Sequence, residues 1–214
     1  MVLLPTIGLA LAVAAAAYLL GCLNGAVIVS RYVLKDDVRT HGSGNAGLTN
    51  FYRTFGGWLT FAVIATDVLK AVLAVWLGSA VFGHWFGAAV LGKYWGGWFC
   101  MLGHIFPCMF RFKGGKGVLA GGVMALMIDW RVALVVWGGF LLLVVLTRYV
   151  SLGSIYAGTA FPFATWFVFH SVPYTVMAVC CGGLLVWQHR ANIRRLLRGT
   201  ESKFSFHHKT EGQL

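Results

Sequence analysis

Residues 2–30 read VLLPTIGLALAVAAAAYLLGCLNGAVIVS, a run without one charged side chain. A helix that crosses a bilayer needs about 20 apolar residues, so this run is long enough to span. Working outward, the same pattern repeats. Residues 54–76 hold only Asp67 and Lys70, and residues 77–110 hold only Lys93. Charge-free runs follow at 117–128 and 132–147, then at 149–188, which accommodates two spans broken near residues 170–173. The spacing predicts seven helices, roughly 5–29, 55–78, 86–109, 115–128, 132–148, 153–170 and 172–189. The chain is thus expected to be an all-α, polytopic membrane protein, with residues 1–214 forming one integral membrane domain.

Composition agrees. The chain is 59% hydrophobic and only 11% charged, against about 25% charged in a soluble domain. Charge also predicts orientation. Of the 17 basic residues, only Arg131 falls on one side, while Lys70 and Lys93 fall within helices. The others, including Arg31, Arg53, Lys113, Arg148 and Lys209, share the opposite set of loops. Basic loops stay in the cytoplasm, so the N-terminus is expected outside and the C-terminus in the cytoplasm. The formal charge of +11 follows from that placement and favours anionic lipid headgroups; nothing calls for nucleic acid. The first run lacks a basic leader and exceeds a signal-peptide core, so it is expected to stay attached. Cys22, Cys100, Cys108, Cys180 and Cys181 lack metal-ligand spacing and are expected to act as small packing residues.

Three polar segments interrupt the apolar chain, all predicted on the cytoplasmic side. The first, residues 42–53, reads GSGNAGLTNFYR; the second, 113–117, reads KGGKG; the third runs from His189 to Glu201. Glycine-rich backbone beside fixed cations suits phosphate, because bare N–H groups and ammonium or guanidinium groups can both reach its oxygens. The second segment opens a helix, whose N-terminus is partially positive. It is not a Walker A loop, since Gly117 stands where Ser or Thr would hold magnesium. In the third, His189, Asn192 and Arg195 recur at helical spacing on one face. The candidate substrate-binding set is Gly42, Gly44, Asn45, Thr49, Asn50, His104, Lys113, Gly114, Gly115 and Gly117. Asp67 and Lys70, three apart within a span, are either a functional pair or an ion pair with each other. Lys93 is expected to snorkel or face the bundle, and Trp85, Trp95 and Trp98 to sit at the interface.

Other chemistries lack their residues. No histidine is followed five positions later by aspartate, and no G-x-S-x-G nucleophile elbow occurs. Only Asp36, Asp37, Asp67 and Asp129 supply aspartates, too scattered for a magnesium cluster. No metal and no cofactor is therefore expected. A transporter or flippase of a phosphorylated solute is the competing class. It should show repeats and midplane sites, whereas these motifs gather at one surface.

The motifs together resemble a known family, the bacterial acyl-phosphate:glycerol-3-phosphate acyltransferases (PlsY). The resemblance rests on residues 42–53, on GHIFP at 103–107 with FKGGKG at 112–117, on SLGSI at 151–155, and on His189, Asn192, Arg195 and the Gly199, Thr200, Glu201 group. It covers nearly the whole chain. Departures are Ala46 in place of a proline, Leu48 in place of a small residue, Gly25 where a small hydroxyl residue is common, and Ala71 where glycine is frequent. The resemblance implies seven helices and acyl transfer from a fatty acyl phosphate to the sn-1 hydroxyl of glycerol 3-phosphate, giving 1-acylglycerol 3-phosphate. It implies essential roles for Ser43, Arg53, His189 and Asn192, substrate binding by the 113–117 loop with Lys116 in the catalytic set, and a structural Glu201. The soluble enzyme that makes acyl phosphate is the implied partner.

Overall fold

The computed structural model describes residues 3–205, and among them there are helices and turns but no strand. Lys209, one of the basic residues that predict orientation, lies outside the described residues.

The first charge-free run does not stay one helix. α1 (Leu3–Cys22) stops, and the chain restarts as α2 (Gly25–Ile28), which widens into a π turn at Val29–Val33. The expectation of one helix over 5–29 fails at Asn24. Its side-chain oxygen accepts from the Val27 N–H (3.0 Å), capping α2, and its Nδ2 donates to the Ala46 carbonyl (3.0 Å). Asparagine is a strong N-cap because it offers the backbone an alternative to the helical ladder.

Residues 42–53, expected as a polar segment, contain a short helix, α3 (Leu48–Phe55), which buries Asn50 and Phe51. α4 (Leu59–Phe86) runs past its expected end at residue 78. Nothing stops it before Gly87, whose φ of +63° is the left-handed conformation that ends helices. Then come α5 (Ala89–Ile105), α6 (Val118–Ile128), α7 (Trp130–Thr147), α8 (Val150–Phe169), α9 (Val172–Gln188) and α10 (Arg190–Leu197). Four of these, α1, α4, α7 and α8, are long and apolar enough to cross a membrane; α6 and α9 are shorter apolar helices. α6 has 11 residues, a rise of about 16 Å, roughly half a bilayer core.

The bundle is held by close backbone approach. α5 packs on α4 and on α1. A Cβ added at Gly96 would lie 2.1 Å from the Ala74 carbonyl oxygen, and one at Gly103 would lie 2.1 Å from that of Tyr18. Small residues permit such contact, which matters in lipid because apolar side chains gain little there by leaving it. Lys93 faces the bundle: its Nζ donates to the Met127 carbonyl (2.6 Å), at the end of α6 where intrahelical donors run out. Asp129 caps α7 and pairs with Arg131. Trp85 is exposed, but Trp95 donates to the Ala10 carbonyl (2.9 Å) and so joins α5 to α1. Cys22, Cys100 and Cys181 are buried as packing residues; Cys108 and Cys180 are exposed, contrary to that expectation.

Candidate active site

The three polar segments meet around one open cavity. Its wall includes Ser43, Asn45, Thr49, Arg53, Lys116, His189, Asn192, Arg195 and Glu201, with Asp67 and His104 also contributing. Each segment reaches it by a different local device.

In the first segment, Gly42 and Gly44 adopt φ of +55° and +69°, which L-residues disfavour. They turn the chain so that Ser43 stays exposed beside the cavity. Asn50 holds this turn from below. Its Oδ1 accepts from the Ser43 N–H (3.0 Å), and its Nδ2 donates to the carbonyls of Val38 (3.0 Å) and His41 (3.1 Å). Asn50 thus spends its amide on the loop backbone, although the sequence pointed to substrate binding. Arg39 ties this segment to the next: it pairs with Asp37 and donates to the carbonyls of Phe110 (2.8 Å) and Lys113 (3.1 Å).

The second segment departs from its expected role. The Gly114 N–H donates to the Ile105 carbonyl (3.1 Å) and the Gly115 N–H to that of His104 (3.1 Å). These N–H groups are therefore occupied. The paired glycines serve packing instead: a Cβ at Gly114 would lie 2.0 Å from the His104 carbonyl oxygen. Lys113 is exposed and lies outside the cavity wall, whereas Lys116 and Gly117 line it. Gly117, at φ +80°, starts α6, whose first N–H groups have no intrahelical acceptor. These N–H groups differ from those of 114–115, which are already donated to carbonyls.

The third segment bends at His189, between α9 and α10. His189 is 2% exposed, and its Nδ1 lies 2.8 Å from the Leu185 carbonyl oxygen. A carbonyl only accepts, so Nδ1 carries the proton and Nε2 keeps a lone pair. Burial, then the Lys116 charge, lowers the His189 pKa to about 4; the ring is neutral near pH 7. Lys116 donates to Asn192 Oδ1. Asn192 Nδ2 donates to Glu201 Oε1 (2.8 Å), and Arg195 Nε donates to Glu201 Oε2 (2.6 Å). Burial opposes the Glu201 carboxylate, but the Asn192 and Arg195 donors overcome it and its pKa falls below the ordinary value. Burial, followed by Arg195, lowers the Lys116 pKa to about 8.

Residues after Gly199 close one edge. Arg53 Nη2 donates to the Ser202 carbonyl (3.1 Å), and the Phe204 N–H donates to the Arg148 carbonyl (2.7 Å). The Tyr52 and Phe204 rings stack at 5.8 Å. Sequence reasoning did not anticipate these contacts. On the other side, Val118, Trp137 and Phe140 line both the polar cavity and an apolar one bounded by Met101, Met124, Phe161 and Leu185.

Comparisons with known proteins agree with one another. The glycerol-3-phosphate acyltransferase family profile matches residues 11–199. A glycerol-3-phosphate acyltransferase of Thermoanaerobacter pseudethanolicus is 37% identical over 195 residues, covering 91% of this chain and 94% of that one. One from Actinobacillus succinogenes is 39% identical over 188 residues, covering 88% and 90%. The fold is similar to crystal structures of PlsY (YgiH), an integral membrane glycerol 3-phosphate acyltransferase. The glycerol 3-phosphate form has a TM-score of 0.81 at 33% identity, covering 92% of this chain and 96% of that one. The lysophosphatidic acid form has a TM-score of 0.77 at 34% identity, covering 92% and 95%.

Proposed function

The chain belongs to the glycerol-3-phosphate acyltransferase family, and from that premise we propose that it moves a fatty acyl group from acyl phosphate to the sn-1 hydroxyl of glycerol 3-phosphate. The products are 1-acylglycerol 3-phosphate and inorganic phosphate. The observation that carries this reading is the convergence of Arg53, Lys116 and Arg195 around a neutral histidine, in a cavity adjoining an apolar one. Two anionic substrates repel each other, and fixed cations offset that repulsion while aligning the reacting atoms. The relatives crystallised with glycerol 3-phosphate and lysophosphatidic acid support the same substrate and product here.

In the proposed step, the sn-1 oxygen attacks the acyl carbon, the carbon–oxygen bond to phosphate breaks, and phosphate leaves with the electron pair. Ser43 and Asn45 hold phosphate oxygens and Arg53 clamps a phosphate through its planar fork. Lys116 neutralises charge on the leaving group. Asn192, held by Glu201, sets the Lys116 position. His189 accepts a hydrogen bond from the hydroxyl at Nε2 and orients it. A histidine with a pKa of about 4 is a weaker base than a phosphate, whose second pKa is about 6, so the proton passes to phosphate. The acyl tail extends past Trp137 and Phe140 towards the apolar cavity. The chain acts as one membrane unit with seven crossings, the N-terminus outside and the site facing the cytoplasm of the inner membrane, where a soluble enzyme supplies acyl phosphate.

The deciding experiment offers purified protein radiolabelled glycerol 3-phosphate with palmitoyl phosphate or with palmitoyl-CoA, each with and without EDTA. Labelled lysophosphatidic acid is expected with palmitoyl phosphate alone, unaffected by EDTA. Equal turnover with the CoA ester, or loss of turnover in EDTA, refutes the donor assignment.

A further inference from the structure

Beneath the cavity lies a buried group of ionisable residues for which the proposed step has no use. Asp67 and Lys70 of α4 are 1% and 2% exposed, and His104 of α5 is 5% exposed. Lys70 Nζ lies 2.6 Å from Asp67 Oδ1, 2.9 Å from the Leu23 carbonyl oxygen and 2.9 Å from His104 Nδ1. An ammonium has three donors and no acceptor, so these three contacts use it fully. His104 Nδ1 must then accept, which puts the ring proton on Nε2. Asp67 cannot take a proton from Nδ1, since its Oδ1 is 3.7 Å away, beyond hydrogen-bond range. That carboxylate oxygen is instead engaged by Lys70 and by the Gly25 N–H (3.2 Å). The break between α1 and α2 supplies both backbone groups, which a continuous helix would have kept in its own ladder.

His104 Nε2 has no hydrogen-bond partner among the described residues, and the ring forms part of the cavity wall. Beside it the chain has glycine: a Cβ at Gly115 would lie 2.2 Å from Nε2. We propose that His104 is a fixed Nε2–H donor to an anionic oxygen of substrate in this cavity, and that Asp67 and Lys70 are positioning residues that set its tautomer. The inference rests on the acyl-transfer reading above. It gives the two histidines opposite polarity: Nε2 of His189 accepts, whereas Nε2 of His104 donates. The oxygen belongs to the phosphate of glycerol 3-phosphate or to that of the acyl phosphate, and the KM for each separates the two sources.

The test uses the full chain in lipid nanodiscs. Kinetics compare wild type with His104→Phe, which keeps the ring shape without a donor, and His104→Gln, which returns an N–H donor near Nε2. Loss of a hydrogen bond to a charged group corresponds to about a tenfold to hundredfold loss in kcat/KM. His104→Phe is expected to show that loss, with KM raised for one substrate only, and His104→Gln to recover most of it. If His104 only fills space, Phe performs at least as well as Gln, and the proposal is overturned. Histidine nitrogen-15 NMR of the wild type reads the tautomer without relying on turnover or on a variant's folding. The expected result is a bare Nδ1 and a protonated Nε2 that shifts on adding glycerol 3-phosphate or inorganic phosphate. A protonated Nδ1, or no shift with either anion, overturns the proposal. A wild type that turns over no acyl phosphate yet shows the NMR shift would sink the acyl-transfer reading while sustaining the donor.

Discussion

Gly115→Ala puts the packing of the second loop under test. The new Cβ would lie 2.2 Å from His104 Nε2 and 2.8 Å from the Ala46 carbonyl oxygen, against an ordinary contact of roughly 3.4–4 Å. Neither neighbour yields easily. His104 is held by Lys70, and the Ala46 carbonyl accepts from Asn24 while its N–H donates to the Gly114 carbonyl (3.3 Å). The loop itself must therefore move, by about an ångström, carrying Lys116 away from Asn192. Overpacking of this kind costs about 1–3 kcal/mol, and a misplacement of about 1 Å in a reacting site costs about 10²-fold. We expect kcat/KM to fall about a hundredfold with a lower Tm. The assay is lysophosphatidic acid formation with each substrate varied in turn, beside thermal unfolding in the same detergent. Gly183→Ala is the control, because a Cβ there meets nothing within 4 Å. Wild-type kcat/KM and Tm in Gly115→Ala would refute the close-packing argument.

Three further outcomes are expected. Cysteines placed at Ser43, Lys113 or Ser202, with exposed Cys108 and Cys180 replaced, should react with impermeant reagent only from the cytoplasmic face; labelling from outside intact cells overturns the orientation. The Lys116 pKa of about 8 places a basic limb in kcat/KM near pH 8, since the ammonium is lost as pH rises. Lys116→Arg should remove that limb, because guanidinium stays charged, and a limb unchanged by the substitution assigns it elsewhere. The depressed His189 pKa, about 4 against about 6.5 unfolded, means the folded state binds fewer protons between those values. Its contribution to stability is full above about pH 6.5 and is lost as pH falls towards 4, so His189→Gln should flatten the acid branch of Tm against pH; an unaltered branch disproves the linkage.

The helical class is legible in the sequence because apolar runs in a membrane chain have few alternatives. Boundaries are less so, for local reasons. Asn24 and Gly87 both carry recognisable stop signals, a capping side chain and a left-handed glycine, but apolar residues on either side mask them. That Ser43, Arg53, Lys116, His189 and Asn192 share one cavity is foreshadowed only as far as the charge pattern predicts their three segments on one side of the bilayer. The use of each group does not follow from sequence. Gly114 and Gly115 look like a phosphate cradle, yet their N–H groups are consumed by carbonyls at the end of α5. Pairing of Asp67 with Lys70 is one of the two sequence readings, whereas the third partner, His104, is visible only once α4 and α5 lie side by side. The Ser202 contact to Arg53 spans 149 positions and has no local signature.

That long separation bears on biogenesis. Arg53 emerges early in synthesis, whereas Glu201 and Ser202, which orient Asn192 and Arg53, emerge after every described helix has been made. The ordered arrangement therefore cannot exist in a nascent chain that lacks residues 201–202. A partly made protein already inserted in the bilayer holds the cations of the first two segments without the groups that arrange them. The donor proposed above is a reactive mixed anhydride, and a half-built site that bound such a group would waste it to water. Placing these organising contacts after α10 ties competence to synthesis of all the described helices.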